Sequence, residues 1–336
     1  MESNTASELD LALLNALQVS PRADWQQVGT ALGVSAATVA RRWDSLHGRG
    51  LAWVGLTMGH RRSQEIASAF ALVTCVGDPK VVAARLARER EVATIARTMG
   101  SHDLLLDILV HDLESLRRYL AIGLARIEGV GAVVSYPITT IFTTGSRWRV
   151  RALEPNQVRQ LSGGALPGSP RFTTNLDRLD HQLIGALTED ARLSWTELAT
   201  QCATSAPTAR RRIQRLFSSG VIELRCELAT PLVGPAIQVT FFLQLPSPSI
   251  QEAGKLIAAM SKCRLAASVV DRSNLVATMW FSSPAEIEPF EALLLSAFPQ
   301  LAVNERIVHL HPVKRIGHLL DAQDRATGEV VPLAAW

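Results

Sequence analysis

The stretch Ser35–Leu46 reads SAATVARRWDSL, and 170 residues later Ser205–Leu216 reads SAPTARRRIQRL. Nothing constrains this 336-residue chain more than that echo, because an internal repeat decides the architecture before any local reading begins. Aligned without gaps, Leu9–Gly50 and Leu179–Gly220 share 15 of 42 residues. The shared set includes Leu9/Leu179, Asp10/Asp180, Arg22/Arg192, Trp25/Trp195, Ser35/Ser205, Thr38/Thr208, Arg41/Arg211, Arg42/Arg212 and Gly50/Gly220. One module has been used twice.

Each copy predicts three helices. Leu9, Leu13, Leu14 and Leu17 recur at helical spacing, and Pro21 ends the run. Asp24 with Gln27, and Ser194 with Glu197, have the spacing of capping boxes. The turn Gly33-Val34-Ser35 ends in an N-cap serine that opens the third helix, whose inward face is Val39, Trp43 and Leu46, or Ala209, Ile213 and Leu216. Gly50 and Gly220 stand where a helix-terminating glycine belongs, and an apolar stretch that reads as the strand of a wing follows each. Trp25 and Trp195 read as core residues.

Two helices joined by so short a turn form a helix-turn-helix, whose second helix enters the DNA major groove. The expected DNA-facing residues are Ser35, Ala36, Ala37, Thr38, Arg41 and Arg42 in the first copy. In the second they are Ser205, Pro207, Thr208, Arg210, Arg211 and Arg212. Small residues allow close approach, hydroxyls reach phosphates or bases, and arginines reach phosphates or guanine. Charge agrees locally: residues 205–217 hold four arginines and no acid. The net charge of +3 alone neither demands nor forbids nucleic acid.

Behind each module the rhythm changes to strand, helix, strand, strand, helix, strand. The first set spans Ala69 to Phe142, with strands at Val92–Met99 and Leu104–Val110 flanking the turn Gly100-Ser101-His102-Asp103. The second spans Ile237 to Leu310, with Asp271-Arg272-Ser273-Asn274 at the matching turn, now at an offset of 171. This order is the ferredoxin-like plan. The fold class expected is therefore α+β, with two winged helix-turn-helix domains, each followed by a ferredoxin-like βαββαβ domain. The expected boundaries are 1–60, 66–145, 176–230 and 235–315, with a glycine- and proline-rich linker at 146–175 and a C-terminal tail at 316–336.

The ordered set resembles the Lrp/AsnC family of prokaryotic transcription regulators. The likeness rests on L-D-x-x-x-L at Leu9 and Leu179, S-x-x-T-[VA]-x-R-R-x-x-x-L on the third helix, and G-x-x-D at Gly100–Asp103. The resemblance implies double-stranded DNA and a small-molecule effector, an amino acid or a relative of one, as partners. It makes Gly100, Ser101, His102 and Asp103 the candidate ligand residues, and it implies oligomers built through the sensor domains. The tandem repeat adds an expectation of its own: the two halves pair as a pseudo-dimer within one chain. Three features depart from the family pattern: the tandem copy itself, the second turn, which has lost its glycine and has Asn274 for aspartate, and Ala203-Thr204 in place of Gly33-Val34.

Other classes find less support. Haem-precursor (sirohaem) decarboxylases resemble the same family as fused pairs, but their S-H-N-Y-type segment is matched only by Ser101-His102-Asp103. His309 and His311 alternate on the last strand and are expected to share a face. A sensor with degenerate DNA-binding modules conflicts with the intact serine, threonine and arginine set. The chain shows no phosphate-binding loop, nucleophile elbow or zinc-protease motif, so no enzyme, cofactor or metal is expected. Four scattered cysteines, no apolar run of spanning length and no secretory signal point to a cytoplasmic, nucleoid-associated protein without a membrane partner.

Overall fold

The computed structural model describes residues 6–59, 61–162, 176–232 and 237–336. The first module is α1 (Glu8–Val19), α2 (Trp25–Leu32), α3 (Ala36–Gly48) and β1 (Ala52–Met58). Its sensor follows as β2 (Ala67–Cys75), α4 (Pro79–Leu86), β3 (Val92–Met99), β4 (Leu104–Val110), α5 (Leu113–Arg118) and β5 (Val130–Thr143). After α6 (Pro155–Ser162) the plan repeats as α7 (Arg178–Glu189), α8 (Trp195–Gln201), α9 (Ala206–Ser218) and β6 (Ile222–Leu228). The second sensor is β7 (Ile237–Gln244), α10 (Ile250–Ala259), β8 (Cys263–Val269), β9 (Leu275–Phe281), α11 (Ile287–Ala297) and β10 (Ala302–Arg315). Two short strands close the chain, β11 (His318–Leu320) and β12 (Ala326–Val330).

The caps form as the sequence requires. Ser7, Asp24, Asp177 and Ser194 each make a full capping box, and Ser35 and Ser205 cap α3 and α9. Gly33 ends α2 at φ +69°, and Ala203 holds the same left-handed turn in the second copy at φ +49°. Alanine pays roughly 1–2 kcal/mol there, so the turn is kept against its local preference. The second helix of the first sensor begins as α5 but widens into a π turn at Tyr119–Gly123. Gly123 lies against the Tyr119 ring, where a Cβ would collide, and the wider turn accommodates that contact.

Both sensors have the ferredoxin-like strand order, β5-β2-β4-β3 and β10-β7-β9-β8, with every neighbouring pair antiparallel. The last strand of each half is long enough to serve two sheets. Residues 130–137 of β5 pair with β2, and residues 138–143 pair with β8 of the other half. β10 likewise pairs with β7 and then with β3. The eight described sensor strands therefore close into one barrel, which leaves neither sensor an open edge. Alternate residues explain the near-continuous apolar strands: Ala69, Ala71 and Val73 face the helices, while Phe70 and Leu72 face inward. The interior core joins Phe70, Leu72, Leu105 and Tyr136 of the first half to Phe242, Val276 and Ile307 of the second.

The strand after each helix-turn-helix forms, and its partner is the equivalent strand of the other module. β1 and β6 make an antiparallel two-stranded ribbon in which Gly55 faces Arg225. Those two positions correspond under the 170-residue repeat, so a pseudo-two-fold axis passes between them. The exchange extends to the cores. Cys226 and Leu228 of β6 pack into the first module, and Leu56 of β1 packs into the second.

Two peripheral segments correct the simpler outline. The first part of the region read as linker, through Ser162, packs on the first module: Leu161 is buried with Trp148, Val150 and Leu153, and Asn15 and Gln18 accept backbone bonds from 150–153. Residues 163–175, with the glycine-rich LSGGALPGSP mostly among them, lie outside the described residues. The segment read as a tail is a strand pair, with β11 on β10 and Leu333 and Ala335 buried. A left-handed Gly317 at φ +81° makes the turn that returns it.

Candidate nucleic-acid interface and sensor turn

α3 and α9 present the same face twice. Ser35, Ala37 and Arg41 are exposed on one, and Ser205, Pro207, Arg210 and Arg211 on the other, while Ala36, Thr38 and Thr208 are half-buried. Among the described residues Arg41, Arg210 and Arg211 make no ion pair. Pro207 sits in the first turn of α9, where its missing N–H costs nothing. Ser35 Oγ accepts from the Thr38 N–H at 3.1 Å and lies 2.8 Å from Thr38 Oγ1. Ser205 and Thr208 repeat the arrangement. These hydroxyls first set the start of each helix.

Arg42 and Arg212 depart from the expected role. Arg42 donates to Asp10 at 2.9 Å and to Ser7 at 3.2 Å at the start of α1. Arg212 donates to Asp177 at 2.5 Å and Asp180 at 3.1 Å at the start of α7. Burial alone would raise the Asp10 pKa, but hydrogen bonds from Ser7 and Arg42 outweigh it and hold the carboxyl below its ordinary value. A guanidinium bound to a carboxylate inside its own module is not free to read a base. The repeated Asp10/Asp180 and Arg42/Arg212 thus form one ion pair made twice, 32 residues apart each time.

The repeated Arg22/Arg192 and Trp25/Trp195 have a joint role that helical periodicity did not reveal. Arg22 donates to the carbonyls of Ala191 and Leu193, both at 2.6 Å, and lies 4.4 Å from the centre of the Trp195 ring. Arg192 returns the contact, donating to Pro21 and Ala23 and lying 4.0 Å from the Trp25 ring. Desolvation lowers both arginine pKa values, that of Arg192 to about 10. The tryptophans are partly buried platforms across the module interface. Their recurrence with an arginine three residues earlier was the available signal.

At the sensor turn, Gly100 is left-handed at φ +123°. The Asp103 carboxylate accepts from the Cys75 N–H at 2.7 Å, tying the β3–β4 turn to the end of β2. Asn274 does the same in the second half, accepting from Leu245 N–H at 3.0 Å and donating to its carbonyl at 2.7 Å. The change from aspartate to asparagine therefore keeps this structural role. Ser101 donates to Glu305 at 2.7 Å, and His102 Nε2 lies 3.4 Å from the same carboxylate, so the first turn rests on the other half's last strand. The four candidate residues are together, but Asp103 already has a backbone partner.

His309 and His311 do not share a face. A bulge between them places His309 opposite Thr98 and His311 opposite Arg97, consecutive residues of β3 that point to opposite sides. His309 Nε2 lies 2.8 Å from Thr240 Oγ1 inside the barrel, where burial pushes its pKa down to about 3. His311 pairs with Asp324 at 2.6 Å. Among the described residues no group of histidines, cysteines and carboxylates is arranged to hold a metal ion, and no helix is long and apolar enough to cross a membrane.

Known proteins give the same outline. An AsnC-type helix-turn-helix domain matches residues 7–47 and 176–216, and the Lrp/AsnC ligand binding domain matches 68–145. An HTH-type transcriptional regulator of Pyrococcus horikoshii is 27% identical over 143 residues, 42% of this chain and 88% of the relative. One from Haemophilus influenzae is 34% identical over 71 residues, 21% of this chain and 42% of the relative. The crystal structure of the siroheme decarboxylase NirDL is similar over 92% of this chain and 93% of that one, with a TM-score of 0.57 and 14% identity. At that identity the likeness is one of fold. AsnC-type helix-turn-helix domains with an Lrp/AsnC ligand binding domain are the parts of a DNA-binding regulator with an attached sensing domain. The chain is a tandem-duplicated Lrp/AsnC-like protein, matched by the family models over both helix-turn-helix modules and the first sensor.

Proposed function

We propose that a single chain is a complete two-fold regulator that binds double-stranded DNA at two adjacent, non-identical half-sites. The observation that carries this reading is the axis between Gly55 and Arg225, which relates the exposed Arg41 face of α3 to the Arg210–Arg211 face of α9. A two-fold pair of recognition helices suits half-sites about one helical turn apart. The helices differ at Ala40/Arg210, so the operator need not be palindromic. The proposed effector is an amino acid or a related molecule at the Gly100–Asp103 turn, acting in the cytoplasm on nucleoid-bound protein. Further association of chains through the barrel's outer surface belongs to the same proposal. Selection from random duplexes tests it: recovery of a bipartite site bound by one chain supports the reading, and no enrichment contradicts it.

The whole-length likeness to a siroheme decarboxylase motivates a check on catalysis. His309 is held by Thr240, His311 by Asp324, and His102 lies beside Glu305, which supports a non-enzymatic reading. Incubation with sirohaem that produces neither bound absorbance nor decarboxylated product is the expected result, and turnover would contradict it.

A further inference from the structure

At the end of the barrel opposite the Gly100–Asp103 turn, beneath the β1–β6 ribbon, lies a cavity of about 100 Å³. Arg225, Arg264 and Arg315 line it, together with Asp107, Trp280 and His309. Glu227, beside it on β6, is 1% exposed and is the carboxylate those arginines share. Its Oε2 accepts from Arg264 at 2.7 Å and lies 3.7 Å from Arg315, while Oε1 meets Arg225. Arg315 gives one further bond to the Leu228 carbonyl. Arg264 lies beside the edge-to-face pair of Trp148 and Trp280, 5.1 and 4.7 Å from their ring centres.

Two buried guanidiniums, Arg264 and Arg315, and the half-buried Arg225 share one buried carboxylate, and buried charge left uncompensated is costly. Asp107 is the other acid facing the cavity, and desolvation pushes its pKa up to about 6 against the pull of Arg225. His309 faces it as a neutral ring, because burial pushes its pKa down to about 3. A second observation points the same way. Trp280 is 9% exposed and lines this polar cavity, yet its indole N–H is buried without an acceptor. Buried donors of that kind are rare and call for an explanation.

The fold itself does not require the cluster. At the repeat offsets, Arg225, Glu227, Arg264 and Trp280 correspond to Gly55, Thr57, Ala93 and Leu109. The bulge that turns Arg264 inward is present in both halves, since Ala93 and Arg264 are each the extra residue between paired neighbours. Only the second half places a charge there.

We propose that this cavity binds a small oxyanion, a short carboxylate or an inorganic oxyanion, which accepts from the Trp280 indole and the surrounding guanidiniums. Its volume, equivalent to about three water molecules, suits an ion of four or five heavy atoms. Arginine forks match the planar edge of a carboxylate and a face of phosphate equally well. Because Arg225 and Glu227 belong to the DNA-module ribbon and Arg264 and Arg315 to the barrel, the ion bridges the two. The effect of that bridge on DNA rests on the regulator reading, whereas binding itself does not.

The test uses the ¹⁵N-labelled full chain without DNA. Trp280→Phe keeps an aromatic ring, removes the pyrrole portion with its orphan N–H, and identifies the Trp280 indole resonance by its loss. Acetate, phosphate and sulfate are titrated at constant ionic strength, with chloride as the reference. The expected result is a saturable shift of that resonance with acetate, or with phosphate and sulfate, accompanied by a raised thermal midpoint. Trp280→Phe, with its own midpoint in chloride as the baseline, should bind the same ion about tenfold or more weakly. No saturable shift with any of the three, equal responses to all salts including chloride, or equal stabilisation of wild type and variant would each overturn the proposal.

Discussion

Arg22 and Arg192 clasp the two DNA-binding modules to each other: each guanidinium donates to two carbonyls of the opposite module and lies over that module's tryptophan. A charged donor to a carbonyl contributes about 1.5–3 kcal/mol, and the buried carbonyls lose their partners when it is removed. Arg22→Ala and Arg192→Ala are each expected to destabilise the chain by about 2 kcal/mol or more in urea titrations. Both should also weaken DNA binding although neither arginine lies on α3 or α9, because the angle between the modules is no longer fixed.

Arg42→Ala and Arg41→Ala should separate stability from recognition. Arg42 is spent on Asp10 and Ser7, and its side chain is 37% exposed, so its loss should cost about 0.5–1 kcal/mol of stability. That cost should be independent of DNA sequence. Arg41 makes no ion pair among the described residues, and its loss should leave the urea midpoint unchanged. Parallel urea and fluorescence-anisotropy titrations check both; a sequence-selective loss from Arg42→Ala would show that the Asp10 pair opens on DNA.

Acid should act through His309. Its pKa falls from 6.5 to about 3 on folding, so the unfolded chain binds a proton that the folded chain refuses over that interval. Stability from this residue is therefore complete above pH 6.5 and is lost at about 1.4 kcal/mol per pH unit as pH falls toward 3. His318, pushed down to about 4, adds in the same direction, and Asp107, pushed up to about 6, works against both. The difference between wild type and His309→Gln isolates the effect: urea titrations from pH 7.5 to 4.5 should show a flatter profile for the variant by that slope.

Asp103 offers a clean distinction between support and sensing. Asn274 already performs the equivalent turn-tying role in the other half, so Asp103→Asn should fold with a thermal midpoint within about 2 °C of wild type. If the carboxylate also receives an effector's amino group, the variant should lose any amino-acid-dependent shift in midpoint. Retention of a full effector response would assign Asp103 to structure alone.

Much of this molecule was legible in its residues. The repeat, the capping serines and aspartates, and the alternation of both sensors are local signals, and β4 and β9 begin and end where the apolar runs do. What escaped the sequence depends on partners distant along the chain. The apolar stretches after Gly50 and Gly220 read as wing strands, because the partner each one pairs with lies about 170 residues away along the chain. Arg42 and Arg41 are adjacent and identical in type, and only the position of Asp10 on α1 separates their roles. The bulge between His309 and His311 defeated a simple period of two. Arg264 gave one faint hint, a lone charge in an apolar strand, but only the cavity around it gives that charge a purpose.

The central claim is that one chain reads two half-sites through α3 and α9. Footprinting of a selected duplex by the wild-type chain, Arg41→Ala and Arg211→Ala tests it most directly. The account predicts two adjacent protected half-sites, with Arg41→Ala losing protection at one and Arg211→Ala at the other, each at a cost of about 1–3 kcal/mol in affinity. A single protected site, or the same half-site lost in both variants, would contradict it.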